Sequence, residues 1–99
     1  MSEPVKAIKN HDKDNVATLF GTAKAGSNVI IMDKSGDSFE VKVVNDIPYG
    51  HKLALQSISV KEEVTKYGEE IGIATKEILV GEHVHIHNID SIRGRGDWK

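Results

Sequence analysis

The sequence predicts one compact, mainly β domain, and three observations carry that prediction. Short runs rich in Val, Ile and Ala recur at 15–20, 28–34, 38–44, 52–56, 71–75 and 83–89, separated by Gly, Asp, Asn and Lys. Phe39, Val41 and Val43 alternate with Glu40 and Lys42, the period of two that gives a strand one buried and one wet face. Residues 53–64 repeat 20 positions later at 73–84, with Ala54 over Ala74, Ile58 over Ile78, Val60 over Val80, Glu62 over Glu82 and Val64 over Val84.

Each run is too short for a helix. Lys34-Ser35-Gly36-Asp37 is a strong turn, because Gly takes positive φ at low cost and Asp and Ser bond nearby backbone, so 28–44 reads as a hairpin. Residues 60–70 could start a helix, but Lys66-Tyr67-Gly68 interrupts them and no capped apolar stripe forms; strand and turn is the better reading. The repeat unit is a short strand, an Ile plug, a turn and a second strand. A fainter echo at 24–29 resembles 79–84. Two clear copies predict a pseudo-symmetric β fold rather than a solenoid.

With 99 residues the chain has material for one small core. The expected organisation is an N-terminal extension over 1–10, the β domain over 11–90 and a flexible arm over 91–99. Thirteen basic and 15 acidic residues are interspersed to a net charge of -2, which provides no broad basic face for nucleic acid. Cysteine is absent, so disulfides and thiolate metal sites are excluded. Residues 1–10 lack the apolar run of a signal peptide, and no stretch approaches the roughly 18 apolar residues of a membrane span. A cytoplasmic location is expected.

Chemistry concentrates in the histidines. His83, His85 and His87 alternate with Val84 and Ile86, so a continuous strand would send the imidazoles to one face and the apolar side chains to the other. His85 and His87 could then converge on one metal ion, with His51 or a partner's carboxylate as third ligand; the alternative is a solvated face of hydrogen-bonding histidines. His51 follows Ile47-Pro48-Tyr49-Gly50, a bend that would leave an acid or base at a strand mouth. Lys52 beside it could neutralise a substrate carboxylate or stand in solvent. Asp14 and Asn15 read as local turn formers. In the tail, Arg93, Arg95 and Trp98 are candidates for docking on a partner, whereas the Arg-Gly-Asp triplet at 95–97 is a chance match to a short adhesion pattern.

The motifs His11-x-x-Asp14-Asn15-Val16-Ala17, Ile47-Pro48-Tyr49-Gly50-His51-Lys52-Leu53-Ala54-Leu55, Lys66-Tyr67-Gly68-Glu69-Glu70-Ile71-Gly72 and Gly81-Glu82-His83-Val84-His85-Ile86-His87-Asn88 occur in that order. Together they resemble the SAF domain of the altronate and galactarate dehydratase family. The resemblance implies a β-clip fold and a small subunit of a sugar-acid hydro-lyase, inactive alone and completed by a separate large catalytic subunit, with a possible homo-oligomer. It implies a divalent metal of the Fe, Mn or Mg type, substrate contacts from Tyr67 and Asn88, and catalytic roles for His51 and His85. In that pattern His85, His87 and Asn88 match best and His83 falls at a varying position. Two other functions stay open: the small subunit of a sulfolactate sulfo-lyase, and a non-catalytic SAF binding or positioning module.

Overall fold

The computed structural model describes residues 5–91. Among them there is no helix; nine strands form two sheets. The larger has the order β4-β3-β1-β2-β5-β8 and comprises β4 (Ser38–Lys42), β3 (Asn28–Asp33), β1 (Val5–Lys9), β2 (Val16–Leu19), β5 (Lys52–Ala54) and β8 (His83–Val84). The smaller is β6 (Glu63–Lys66), β7 (Glu69–Ala74) and β9 (Ile89–Ser91), in that order. Strand β1 runs parallel to β3 and antiparallel to β2. Residues 5–9 therefore belong to the interior of the sheet, and the extension expected over 1–10 does not describe them. The arm expected over 91–99, with Arg93, Arg95 and Trp98, lies outside the described residues apart from Ser91.

The repeat is real, and the structure multiplies it. Four turns have the same construction: 24–27, 48–51, 59–62 and 79–82, each closed by a backbone hydrogen bond from its fourth residue to its first. The third residue of each takes positive φ: Gly26 at 90°, Gly50 at 82°, Lys61 at 75° and Gly81 at 87°. Just before each turn stands a fully buried plug, respectively Ala23, Ile47, Ile58 and Ile78. The plugs pair, Ala23 with Ile47 and Ile58 with Ile78, each through two reciprocal backbone hydrogen bonds of 2.8–2.9 Å. The third residue of every turn also donates to the strand leading to the opposing plug: Gly26 to Val43, Gly50 to Leu19, Lys61 to Ala74 and Gly81 to Ala54. Only two copies are plain in the sequence because the other two are written with different side chains; backbone hydrogen bonds and φ define the unit.

Strands β2 and β5 are covered on both faces. Ala17, Leu19 and Leu53 join one apolar cluster with Val29, Ile31 and Ile47, whereas Val16 and Ala54 join a second with Ile58, Val64, Ile78 and Val84. The expected single core is thus two clusters on opposite sides of shared strands. The predicted hairpin over 28–44 is present, with Met32 opposite Ser38, and Asp33 Oδ1 accepts from Ser35 N, Ser35 Oγ and Asp37 N. These bonds, led by the Ser35 hydroxyl, lower the pKa of Asp33. Val41 and Val43 are buried as expected, but Phe39 is 43% exposed, because β4 is the sheet edge and its hairpin end projects past the core.

Gly81 is the tightest point. A Cβ there would collide with the carbonyl oxygen of Lys42, whereas one on Gly26 would meet nothing. Both have positive φ, so Gly26→Ala is expected to cost about 1–2 kcal/mol from backbone conformation, and Gly81→Ala about 3 kcal/mol or more from conformation plus steric displacement. Urea unfolding of the two variants checks this; equal losses would contradict the packing described.

Candidate functional site

The turn at 48–51 delivers His51, and the turn at 79–82 delivers His83. Their strands then pair: Leu53 opposes His83 and Lys52 opposes Val84, so one further step of the same antiparallel register brings His51 opposite His85. The rings of His51 and His85 stack with centroids 4.1 Å apart. His51 Nδ1 and His83 Nε2 share a 2.9 Å hydrogen bond. One ligand nitrogen from each of His51, His83 and His85 lies within 4.8 Å of the others. The His83 backbone is held by a hydrogen bond from its N–H to Asn45 Oδ1.

The strand expected over 83–89 ends after Val84. Residues 85–88 turn, with Asn88 N and Ile89 N both donating to His85 O. Asn88 is buried and closes this turn with its side chain: Oδ1 accepts from His85 N and Nδ2 donates to His83 O. This corrects the expected alternation. Val84 is fully buried but Ile86 is 80% exposed, since the alternation breaks where the amide of Asn88 draws the backbone round. His87 is exposed and stands beside His83, ring centroids 5.0 Å apart, outside the three-nitrogen group. Asn88, expected at the substrate, has its amide engaged by the backbone of the two histidines it spaces.

The cluster is electrically unusual. Burial first, and then the neighbouring imidazoles of His87, His51 and His85, hold His83 well below its ordinary 6.5, at about 4. Burial also lowers the pKa of His85, helped by His51, Lys52 and His87. These imidazoles are neutral near pH 7 and keep lone pairs for a proton or a metal ion.

Beside the histidines opens a cleft of about 380 Å³. Lys52, Lys66, Tyr67 and His85 supply its polar lining, and Ile71, Ile86 and Ile89 its apolar lining. Lys52 is half-buried within β5, and burial followed by the charge of Lys66 lowers its pKa. Lys66 and Tyr67 come from the tip of the β6–β7 hairpin, where Tyr67 and Gly68 have φ of 58° and 75°. The two-residue loop with both φ positive matches the twist of the flanking strands. Asp14 and Asn15, expected to be local turn formers, anchor this hairpin from a distance. Asp14 Oδ1 accepts from Gly68 N and its Oδ2 from Asn10 N. Asn15 bonds the β6 backbone with its side chain, donating to Glu63 O and accepting from Thr65 N, beside the bulge at Val64 and Thr65. The ring of His11 lies 3.0 Å from where a Gly68 Cβ would be.

The structure thus brings together His51, His83, His85, Lys52 and Tyr67 from widely separated motifs. Lys66 was missed by sequence reading, though its place next to the Tyr-Gly turn was a usable signal. His83 was undervalued because its position varies in the motif; the pairing of β5 with β8 makes it central.

The matched family is the altronate/galactarate dehydratase SAF domain, over residues 5–92. The chain is 43% identical to an altronate dehydratase of Bacillus subtilis over 82% of its own length and 15% of that protein's. It is 36% identical to a (2R)-sulfolactate sulfo-lyase subunit alpha of Paracoccus pantotrophus, over 64% of this chain and 94% of that one. A galactarate dehydratase of Escherichia coli is 37% identical over 78% of this chain and 14% of its own length. The chain therefore spans about 15% of the altronate dehydratases it matches. The match over residues 5–92, most of the chain, places it in the altronate/galactarate dehydratase SAF domain family.

Proposed function

We propose that this chain is the small subunit of a sugar-acid hydro-lyase of the altronate or galactarate dehydratase type, contributing histidines to an active site completed by a separate large subunit. The observation that carries the reading is the convergence of His51, His83 and His85 within 4.8 Å beside a lysine-bearing cleft. Relatives that include this region in a chain several times longer are dehydratases, so the reading supplies the remainder as a partner chain.

The three imidazoles fit a metal ion. Nitrogens on one ion lie at most about 4.2 Å apart, within reach of small ring rotations from the observed grouping, and neutral imidazole is the ligating form. An all-nitrogen set suits an Fe-type ion; Mn or Mg would need oxygen ligands from the partner. When bound, such an ion would supply charge stabilisation at the substrate carboxylate. The chain's own residues do the rest. Lys52 orients the acid group, and His85, at the cleft wall, is placed to take the proton beside the carboxylate when its lone pair is not held by an ion, and then to pass that proton to the departing hydroxyl. His51, stacked on His85 and bonded to His83, fixes the ring orientation of both. Asn88 sets the spacing of His83 and His85 through their backbone.

One observation favours a second reading. A sulfolactate sulfo-lyase subunit matches this chain over 94% of its own length, which makes elimination of sulfite from a sulfonated hydroxy acid the alternative reaction on the same apparatus. Co-expression with a large lyase subunit tests both, by assay on altronate, galactarate and sulfolactate. Activity is expected only with both chains present, and His51→Ala or His83→Ala is expected to lower it by at least about 100-fold with assembly intact. Full turnover by those variants would contradict the histidine site.

A pH dependence follows from His83. Its folded pKa is depressed from 6.5 to about 4, so between those values the unfolded chain binds more protons and stability rises with pH. The metal-free chain is expected to lose stability as pH falls from about 6.5 to about 4, and His83→Gln is expected to flatten that slope in urea titrations. An unchanged slope in the variant would show that His83 is not held neutral.

A further inference from the structure

Two lysines, Lys52 and Lys66, line the cleft beside the histidines. We propose that Lys52 and Lys66 together form a carboxylate-binding subsite, in which one acid group of a hydroxy acid sits between them and directs its hydroxyl-bearing carbons toward His85. The inference deepens the hydro-lyase reading by assigning the ligand group, but it stands on features of this chain alone.

Three observations support it. Both lysines line the cleft together with His85, and among the described residues no carboxylate lines it. Positive charge beside the apolar lining of Ile71, Ile86 and Ile89 has fewer waters to screen it than on an all-polar surface, which favours an anion between the two. Second, the hairpin tip that carries Lys66 is held in place rather than left to swing. Asp14 and Asn15, both buried, bond Gly68, Glu63 and Thr65 from 48 to 54 residues away in the chain. Tyr67 takes a φ of 58°, unusual for a residue with a side chain, and its ring lies under the Lys66 ammonium at 4.9 Å. Third, Lys52 is half-buried on β5 and lines the cleft from that strand, with Lys66 reaching the same cleft from the hairpin tip. Two cations held near one another in a half-buried position repel, and a bound carboxylate relieves that repulsion.

The subsite is complete in the isolated chain, so the full-length chain is the right material. It is kept metal-free with a chelator and titrated with altronate, and with altritol, the same polyol without a carboxylate, while backbone amides are followed by NMR. Saturable shifts centred on Lys52, Lys66, Tyr67 and His85 are expected with altronate and not with altritol. Lys52→Gln and Lys66→Gln are each expected to weaken binding about tenfold, and Lys66→Arg to retain it, all with native amide dispersion. The proposal is overturned if altronate causes no shifts there, if altritol causes the same ones, or if Lys66→Gln binds as the parent does. Cobalt(II) uptake measured on chelator-free portions of the same protein separates the two readings: failure of the histidine site removes uptake and leaves anion binding, whereas failure of the subsite does the reverse.

Discussion

The structure depends on a paired turn. Each plug residue exchanges two backbone hydrogen bonds with the plug of the opposing unit, and each turn's positive-φ residue donates to the strand that feeds its partner. Buried backbone groups left unpaired would each cost about 1–3 kcal/mol, so a chain with few long strands has to satisfy them in its turns. The two clasps do that, and they bury Ile47, Ile58 and Ile78 completely. The clasps are also tied to each other: Val44 N donates to Gly81 O, and Gly81 has no room for a side chain against Lys42. That junction sets the turn preceding His83 beside the strand that ends before the turn preceding His51.

From that constraint the site follows. Once β5 and β8 pair, the register leaves little freedom over which imidazoles meet, and Asn88 fixes the rest by bonding the backbone of both His83 and His85. The electrostatics divide the work. Burial and the neighbouring imidazoles lower the pKa of His83 and His85, and Lys52 and Lys66 are the cations that line the neighbouring cleft. Neutral bases next to fixed cations form an environment suited to removing a proton adjacent to a bound carboxylate. Exposed apolar side chains line the same cleft, Tyr67 at 62% and Ile86 at 80%.

Much of the fold was legible because it is local. Strand positions followed from β-branched runs, the 20-residue repeat identified one clasp, and Lys34-Ser35-Gly36-Asp37 marked the hairpin over 28–44. The other clasp was hidden because Ala23 and Pro48 give it different side chains, although its hydrogen bonds are equivalent. At the site, alternation at 83–87 suggested a continuous strand, yet a side-chain amide at Asn88 overrode the periodicity. The approach of His83 to His51 and the anchoring of Lys66 by Asp14 and Asn15 bridge 32 to 54 residues. Such long-range pairings have no local signature. The β1 strand was overlooked for a related reason, since a short run of Val, Ala and Ile among lysines becomes a central strand only when β2 and β3 flank it.

The most direct measurement is anomalous diffraction from crystals of the chain soaked in cobalt(II). A single strong peak coordinated by His51, His83 and His85 is the result this account predicts. A peak at another position, or none beside those rings, would contradict it.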